Sequence, residues 1–316
     1  MVMIILCHFT GFLGISFLSQ FFNVGVYIFL LISGWLYSNK EINQPAKWIF
    51  GKWLRLCVPI YIWMIMVCIY SAIALRAYPS IKDVLLLLTN TQGIGWVIFA
   101  FPQLDVNGVF GGLGSLWFVS VIYLCYLLML GVKKIERKLN KKLIGVIFIA
   151  AFIAFVGLVF LRVNIVYFIC FFIGYLIGKS TNKISTRAYI VLTIAMLLGV
   201  MLRLVVRSFM DGTLFYGNTV VGISHTLIAV WFCITMKLLV EKSEFIRKIA
   251  SSKAVLVMDG MSYFIYITHY YFLQSNFRLK DLAPGLGLQT IIFLVLTIVT
   301  AIIIKTISGL INGRKV

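Results

Sequence analysis

Long apolar runs separated by short polar intervals set the pattern of this chain. Runs of about 16 to 22 residues fall at 1–17, 23–39, 56–75, 115–132, 143–161, 163–178, 188–206, 216–236, 254–275 and 287–305. They lack the period-two alternation of barrel strands, and lipid leaves no backbone polar group without a partner, so each run is expected to be a helix. The pattern predicts an all-α fold, a polytopic transmembrane helix bundle of about ten spans forming a single domain over 1–316 with no separate soluble domain. The stretch 83–101 is also apolar, but a glycine-rich segment at 108–114 follows it, and a span there would reverse the side of every later loop. It is read as re-entrant or interfacial.

Composition agrees with the pattern. With 62% hydrophobic residues, 12% charged residues and a mean hydropathy of +1.06, the chain cannot coat a water-soluble globule. The net charge of +19 raises the question of nucleic acid, but the 28 Lys and Arg fall mostly between spans. Lys40, Lys47, Lys52 and Arg55, then Lys133 to Lys142, Lys179 to Arg187, Lys237 to Lys253, and Arg314 with Lys315 share one side. The opposite loops hold Arg76, Lys82, Arg162, Arg203, Arg207, Arg278 and Lys280. An excess of cations marks the cytoplasmic side, which puts both termini inside and assigns the basicity to topology, with membrane lipids and not nucleic acid as partners. The apolar N-terminus lacks a cationic region before it and a small-residue cleavage site after it, so it is expected to persist as the first span. Six scattered cysteines show no Cys-x-x-Cys spacing and no histidine pairs nearby, so neither a metal site nor a disulfide framework is expected.

Polar residues inside apolar runs are where chemistry is sought. His8 is seven residues into the first run, which puts it about 10 Å from the cytoplasmic end if the span starts at Met1. A neutral imidazole there can accept a proton from a hydroxyl; the plainer reading is a core histidine bonded to a neighbouring helix. Gly25, Phe29 and Ser33 recur at i, i+4 and i+8 on one helix face with Gly34 adjacent, a small-residue packing seam in which Ser33 bonds either a ligand or its own helix. Lys47, Lys52 and Arg55 are placed in the loop entering the third span, with Pro59 in that span's first turn, where proline is tolerated. Such cations hold a phosphorylated carrier or anionic head groups. Trp117 and Phe118 open the fourth span as interfacial anchors or as the lining of a sugar-binding mouth. The segment from Ser262 to Tyr271 packs hydroxyls, aromatics and His269 into under three turns, the kind of polarity that faces a cavity. His225 has no polar cluster beside it and reads as a core histidine, and Asp259 is a candidate partner of Lys253.

Four blocks of this sequence, in order, resemble acyltransferase family 3, the polytopic enzymes that decorate bacterial envelope glycans. They are Leu6-Cys7-His8-Phe9, Gly25 to Leu36, Lys52-Trp53-Leu54-Arg55 with Pro59, and Leu116-Trp117-Phe118 with Ser262-Tyr263 to His269. The resemblance implies O-acylation, commonly O-acetylation, of a cell-envelope or exported saccharide at the bacterial inner membrane, with acyl-CoA (acetyl-CoA) as donor and no permanently bound cofactor. It implies His8 as catalytic base, Lys52, Arg55 and Ser33 as donor-binding residues, and Trp117, Tyr263 and His269 at the acceptor. Two departures stand out. The family's arginine ten residues before the histidine would fall before Met1, which predicts a truncated start; and Lys52 replaces the first arginine of the pair, keeping charge but losing the planar fork. The rival reading is a transporter or flippase of polysaccharide or lipid-linked glycan, whose paired halves and matched broken helices are not found; a structural or regulatory subunit is a third.

Overall fold

The computed structural model describes residues 1–94, 104–139, 166–180, 184–213, 216–274, 277 and 279–311. Among these residues the chain is helical, with no strand. The principal helices are α1 (Val2–Phe12), α2 (Ser16–Phe22), α3 (Val24–Ser38), α4 (Pro45–Tyr70), α5 (Ile81–Leu88), α6 (Trp117–Leu139), α7 (Val166–Lys179), α8 (Thr186–Met210), α9 (Val221–Lys242), α10 (Lys253–Gln274) and α11 (Leu286–Ile311). Among the described residues, six segments are long and apolar enough to cross a membrane: Ser16–Ser38, Pro45–Leu75, Gly111–Glu136, Thr186–Met210, Val221–Lys242 and Leu286–Ile311. This is a multi-pass membrane protein. The expected span 143–161 lies outside the described residues, as do 95–101 of the 83–101 stretch, Lys141, Lys142, Arg162, Lys183, Arg278, Arg314 and Lys315.

Local chemistry explains the helix ends. Ser80 and Ser185 cap α5 and α8 by accepting from the Asp83 and Ala188 N–H groups at 3.1 and 3.2 Å. α5 has 8 residues, about 12 Å, too short to cross by itself. α1 stops at Phe12 because Leu13-Gly14 turns the chain, with Gly14 at φ +78°. The first expected run is therefore a helix of 11 residues folded back on α2, not one straight span.

Two further expectations are corrected. α4 begins at Pro45, whose fixed φ suits the first helical position, so Lys47, Lys52 and Arg55 stand on a helix instead of in a loop, and Pro59 is inside it. The cations read as loop because they are charged; on the helix their long stems lie along the apolar surface and lift the charge to its edge. Likewise α8 runs to Met210, so Arg203 and Arg207 are helical: Arg203 turns into the bundle, and Arg207 pairs with Asp211 at 3.4 Å.

The helices run in two opposed directions. α3 and α7 lie parallel along a seam of glycines, where a Cβ on Gly34 would fall on the Phe171 carbonyl, one on Gly174 on the Leu31 carbonyl and one on Gly178 on Ser38. α4 runs beside α10 in the same sense, as Tyr263 bonds Leu56 and Trp63 packs on Tyr271. α6 opposes α4 through Tyr123 on Trp53. α8 opposes α9 through Tyr189–Thr235 and Arg203–His225, and α10 opposes α11 through Thr268–Thr297. Lysines collect at one end: Lys133 donates to the Ser38 and Lys40 carbonyls at 2.9 Å, Lys179 pairs with Glu136 at 3.3 Å, and Lys237 sits over Trp35. This is called the basic end below.

Candidate functional site

α1 and α10 bring two histidines together across 261 residues of sequence. His8 Nδ1 and His269 Nε2 are 2.7 Å apart, with the rings nearly parallel at 12°. His269 is fully buried, and its Nδ1 lies 2.8 Å from the Tyr266 carbonyl and 3.2 Å from the Ile265 carbonyl of its own helix. A carbonyl only accepts, so His269 Nδ1 carries a proton and donates. For two neutral rings its Nε2 must then accept, His8 Nδ1–H must donate to it, and His8 Nε2 is left with its lone pair. His8 itself is half-buried, so the sealed ring orients and the accessible ring presents a proton acceptor. Tyr270 packs against the His8 ring at 4.4 Å, and the Tyr266 hydroxyl donates to the Ser115 carbonyl, tying α10 to the glycine-rich turn Gly111–Leu116.

The pair lies far from the basic end. His269 follows Lys253 by 16 residues, about 24 Å along α10, and Tyr263 by 6, about 9 Å. Met1 and Ile4 of α1 stand level with Leu56 and Tyr263, whose hydroxyl donates to the Leu56 carbonyl at 2.5 Å. His8 is thus farther than about 10 Å from the basic end, because Met1 is already level with Leu56 and Tyr263.

Between the basic end and the histidines lies a narrow cleft with about 420 Å³ of non-atom space, part of it open to solvent, walled by α1, α3, α4, α6 and α10. Its lining is apolar and aromatic, including Ile4, Phe29, Leu56, Phe118, Ile122 and Tyr126. Tyr126 marks the basic side, where the Lys52 ammonium is 5.2 Å from its ring and 4.4 Å from the Tyr37 ring, and also donates to the Tyr37 hydroxyl. Ser33 is buried on α3, one turn along from Phe29. Arg55 is exposed one turn along α4 from Lys52. Tyr266 marks the opposite side, 6.0 Å from His269 between ring centres, with Phe118 packed on both Phe29 and Tyr266. The Gly25, Phe29, Ser33 face of α3 thus looks onto α1 and the cavity, with Gly25 pressed on Met3 and Ile4, whereas Gly34 faces α7.

Of the residues singled out from sequence, Tyr263 lines this cavity, Lys52 lies over Tyr126 at one end, His269 with His8 lies beside Tyr266 at the other, and Ser33 is on the α3 face that carries Phe29. Trp117 does not: its ring packs on Tyr167 at 5.1 Å, which continues to Tyr27 and His225. No ion pair joins Asp259 to Lys253 among the described residues. His225 is buried as expected of a core histidine, but Arg203 is bonded to it at 2.8 Å. That partner was missed although Arg203 lies within the apolar run 188–206, where an intramembrane cation is itself a signal. Tyr266 lies in the Ser262–Tyr271 segment expected to face a cavity and does so, whereas Tyr126 and Ile122 were missed because nothing in their own segment marks them as a cavity wall.

The family model for acyltransferase family 3, described as an acyltransferase domain, matches residues 1–306. No curated protein and no solved structure matches the chain.

Proposed function

We propose, from the premise that this chain belongs to acyltransferase family 3 and is an acyltransferase, that it moves an acyl group, an acetyl group in the first instance, from acyl-CoA to a hydroxyl of a cell-envelope or exported saccharide at the bacterial inner membrane. The observation that carries the mechanism is the 2.7 Å contact between His8 and a His269 already committed to its own helix. His8 Nε2 takes the proton of the acceptor hydroxyl as the oxygen attacks the thioester carbonyl, giving a tetrahedral adduct. The adduct collapses with cleavage of the C–S bond, and the thiolate leaves and recovers the proton from His8. The products are an ester and free CoA. His269 holds the ring and stabilises the imidazolium by accepting from Nδ1–H, the part a carboxylate plays in a serine hydrolase.

The donor reading rests on the path from the basic end. Lys52 and Arg55 meet the anionic phosphates, and Ser33 and Tyr126 stand where the slender arm enters the cavity. Tyr263 belongs to the cavity wall on this reading, and His269 is assigned to orienting the base, not to gripping the acceptor. The orientation that goes with it is ten passes with both termini cytoplasmic. Its support is the opposed direction of α3 and α4, of α4 and α6, of α8 and α9, and of α10 and α11, together with the lysines gathered at one end.

The test is acyl transfer by purified His8→Ala with acetyl-CoA and an envelope glycan fraction. Loss of transfer by about 10²-fold or more, with unchanged folding, is expected from removal of a general base. Undiminished transfer by a folded His8→Ala protein would end this mechanism.

A further inference from the structure

α8 faces outward almost everywhere, exposing Leu197, Leu198, Met201 and Leu202, yet buries one residue, Arg203, which is 8% exposed. Arg203 Nη1 donates to His225 Nε2 at 2.8 Å, and His225 is fully buried with Tyr27 edge-on to its ring at 5.1 Å. Because that nitrogen accepts, a neutral His225 carries its proton on Nδ1, beside the Gln20 main chain but without a well-formed hydrogen bond. The Ser224 and Tyr216 hydroxyls close by in sequence are also buried with no partner among the described residues.

Among the described residues the charge has no counterpart. The chain has nine acidic residues, and those in ion pairs are engaged elsewhere: Glu136 with Lys179, Asp211 with Arg207, Glu241 with Lys237 and Glu244 with Lys248. No carboxylate pairs with Arg203 among the described residues. A guanidinium inside a membrane bundle is costly, and an imidazole accepts one hydrogen bond without cancelling its charge. Five N–H groups in a rigid fork suit a planar or tetrahedral oxyanion, and the buried, unpartnered Nδ1–H of His225 is a further donor on the ring that Arg203 holds. Arg203 follows Thr186 by 17 residues, about 25 Å along α8, so it shares the far half of the bundle with the histidine pair.

We infer that Arg203 and His225 form a binding site for an anionic group, a carboxylate or phosphate, in the half of the bundle remote from the basic end. The anion comes either from a charged saccharide or from the head group of an anionic phospholipid. The site is separate from the acyl-transfer chemistry and stands whether or not His8 is the base.

The experiment is thermal unfolding of the full chain in lipid nanodiscs. Discs of phosphatidylcholine alone are compared with discs containing phosphatidylglycerol, and with phosphatidylcholine discs to which glucuronate or inorganic phosphate is added. A rise in Tm of about 3 °C is expected for the native chain and none for R203Q. A rise with phosphatidylglycerol alone assigns the anion to lipid, and a rise with the soluble anions assigns it to a charged saccharide. Where R203Q does not fold, R203K carries the test, since lysine keeps the charge but loses the fork and should show a smaller rise. The inference is overturned by no rise in the native chain with any of these probes, or by an undiminished rise in the variant.

Discussion

His269 offers one nitrogen to His8 and ties the other to the Tyr266 and Ile265 carbonyls, so the role proposed for it is positional, and the consequence can be separated from simple loss of packing. Replacing it with alanine leaves His8 free to rotate and to hold its proton on either nitrogen, which removes both alignment and the acceptor for Nδ1–H. For H269A the expected result is a fall in kcat of about 10² to 10³-fold with KM for acetyl-CoA little changed, because the donor path through Tyr126 and Ile122 is untouched. Glutamine presents an amide oxygen that can accept from Nδ1–H, so H269Q should recover a measurable part of that loss. Steady-state kinetics of the two variants decides it: equal loss in both would assign His269 to packing alone.

At the scale of elements, the seam between α3 and α7 is closed by glycine because backbone meets backbone, and apolar burial gives helices little reason to associate in lipid. A Cβ at Gly34 lands on the Phe171 carbonyl, which cannot swing away as a side chain could. G34A is expected to destabilise by about 1–3 kcal/mol, read as a lowered Tm. Gly51, inside α4 with nothing within 4 Å of its would-be Cβ, is the matched control. G51A should be neutral or stabilising by about 0.5–1 kcal/mol, the ordinary helix preference. The sequence pattern foretold Gly34 as a packing residue and placed most helix centres, because apolar run length is dictated by lipid thickness. It misplaced what length does not encode. The break at Gly14 depends on one positive φ, the early start of α4 depends on amphipathic side chains that read as loop, and the meeting of His8 with His269 depends on helix packing across nearly the whole chain.

For the whole molecule, direction and charge make a single statement about orientation. α3, α6, α7, α9 and α11 lead toward the basic end, and α4, α8 and α10 lead away from it. Lys133, Lys179 and Lys237 mark that end, and few cations mark the other. Since an excess of Lys and Arg follows the cytoplasmic face, a cysteine replacing Lys253, exposed at the start of α10, should resist a membrane-impermeant maleimide in intact cells and react after permeabilisation. One replacing Tyr78, 79% exposed between α4 and α5, should react without permeabilisation. The parent chain supplies the background, since five of its six cysteines are buried and Cys68 is half-buried. The same experiment bears on chemistry: with Lys253 inside, the acyl donor enters beside Lys52 and the histidine pair, about 24 Å along α10, meets an acceptor from the opposite side. Labelling in the reverse order would put Lys52 outside, away from any cytoplasmic thioester, and the direction of transfer argued from the basic end would have to be abandoned.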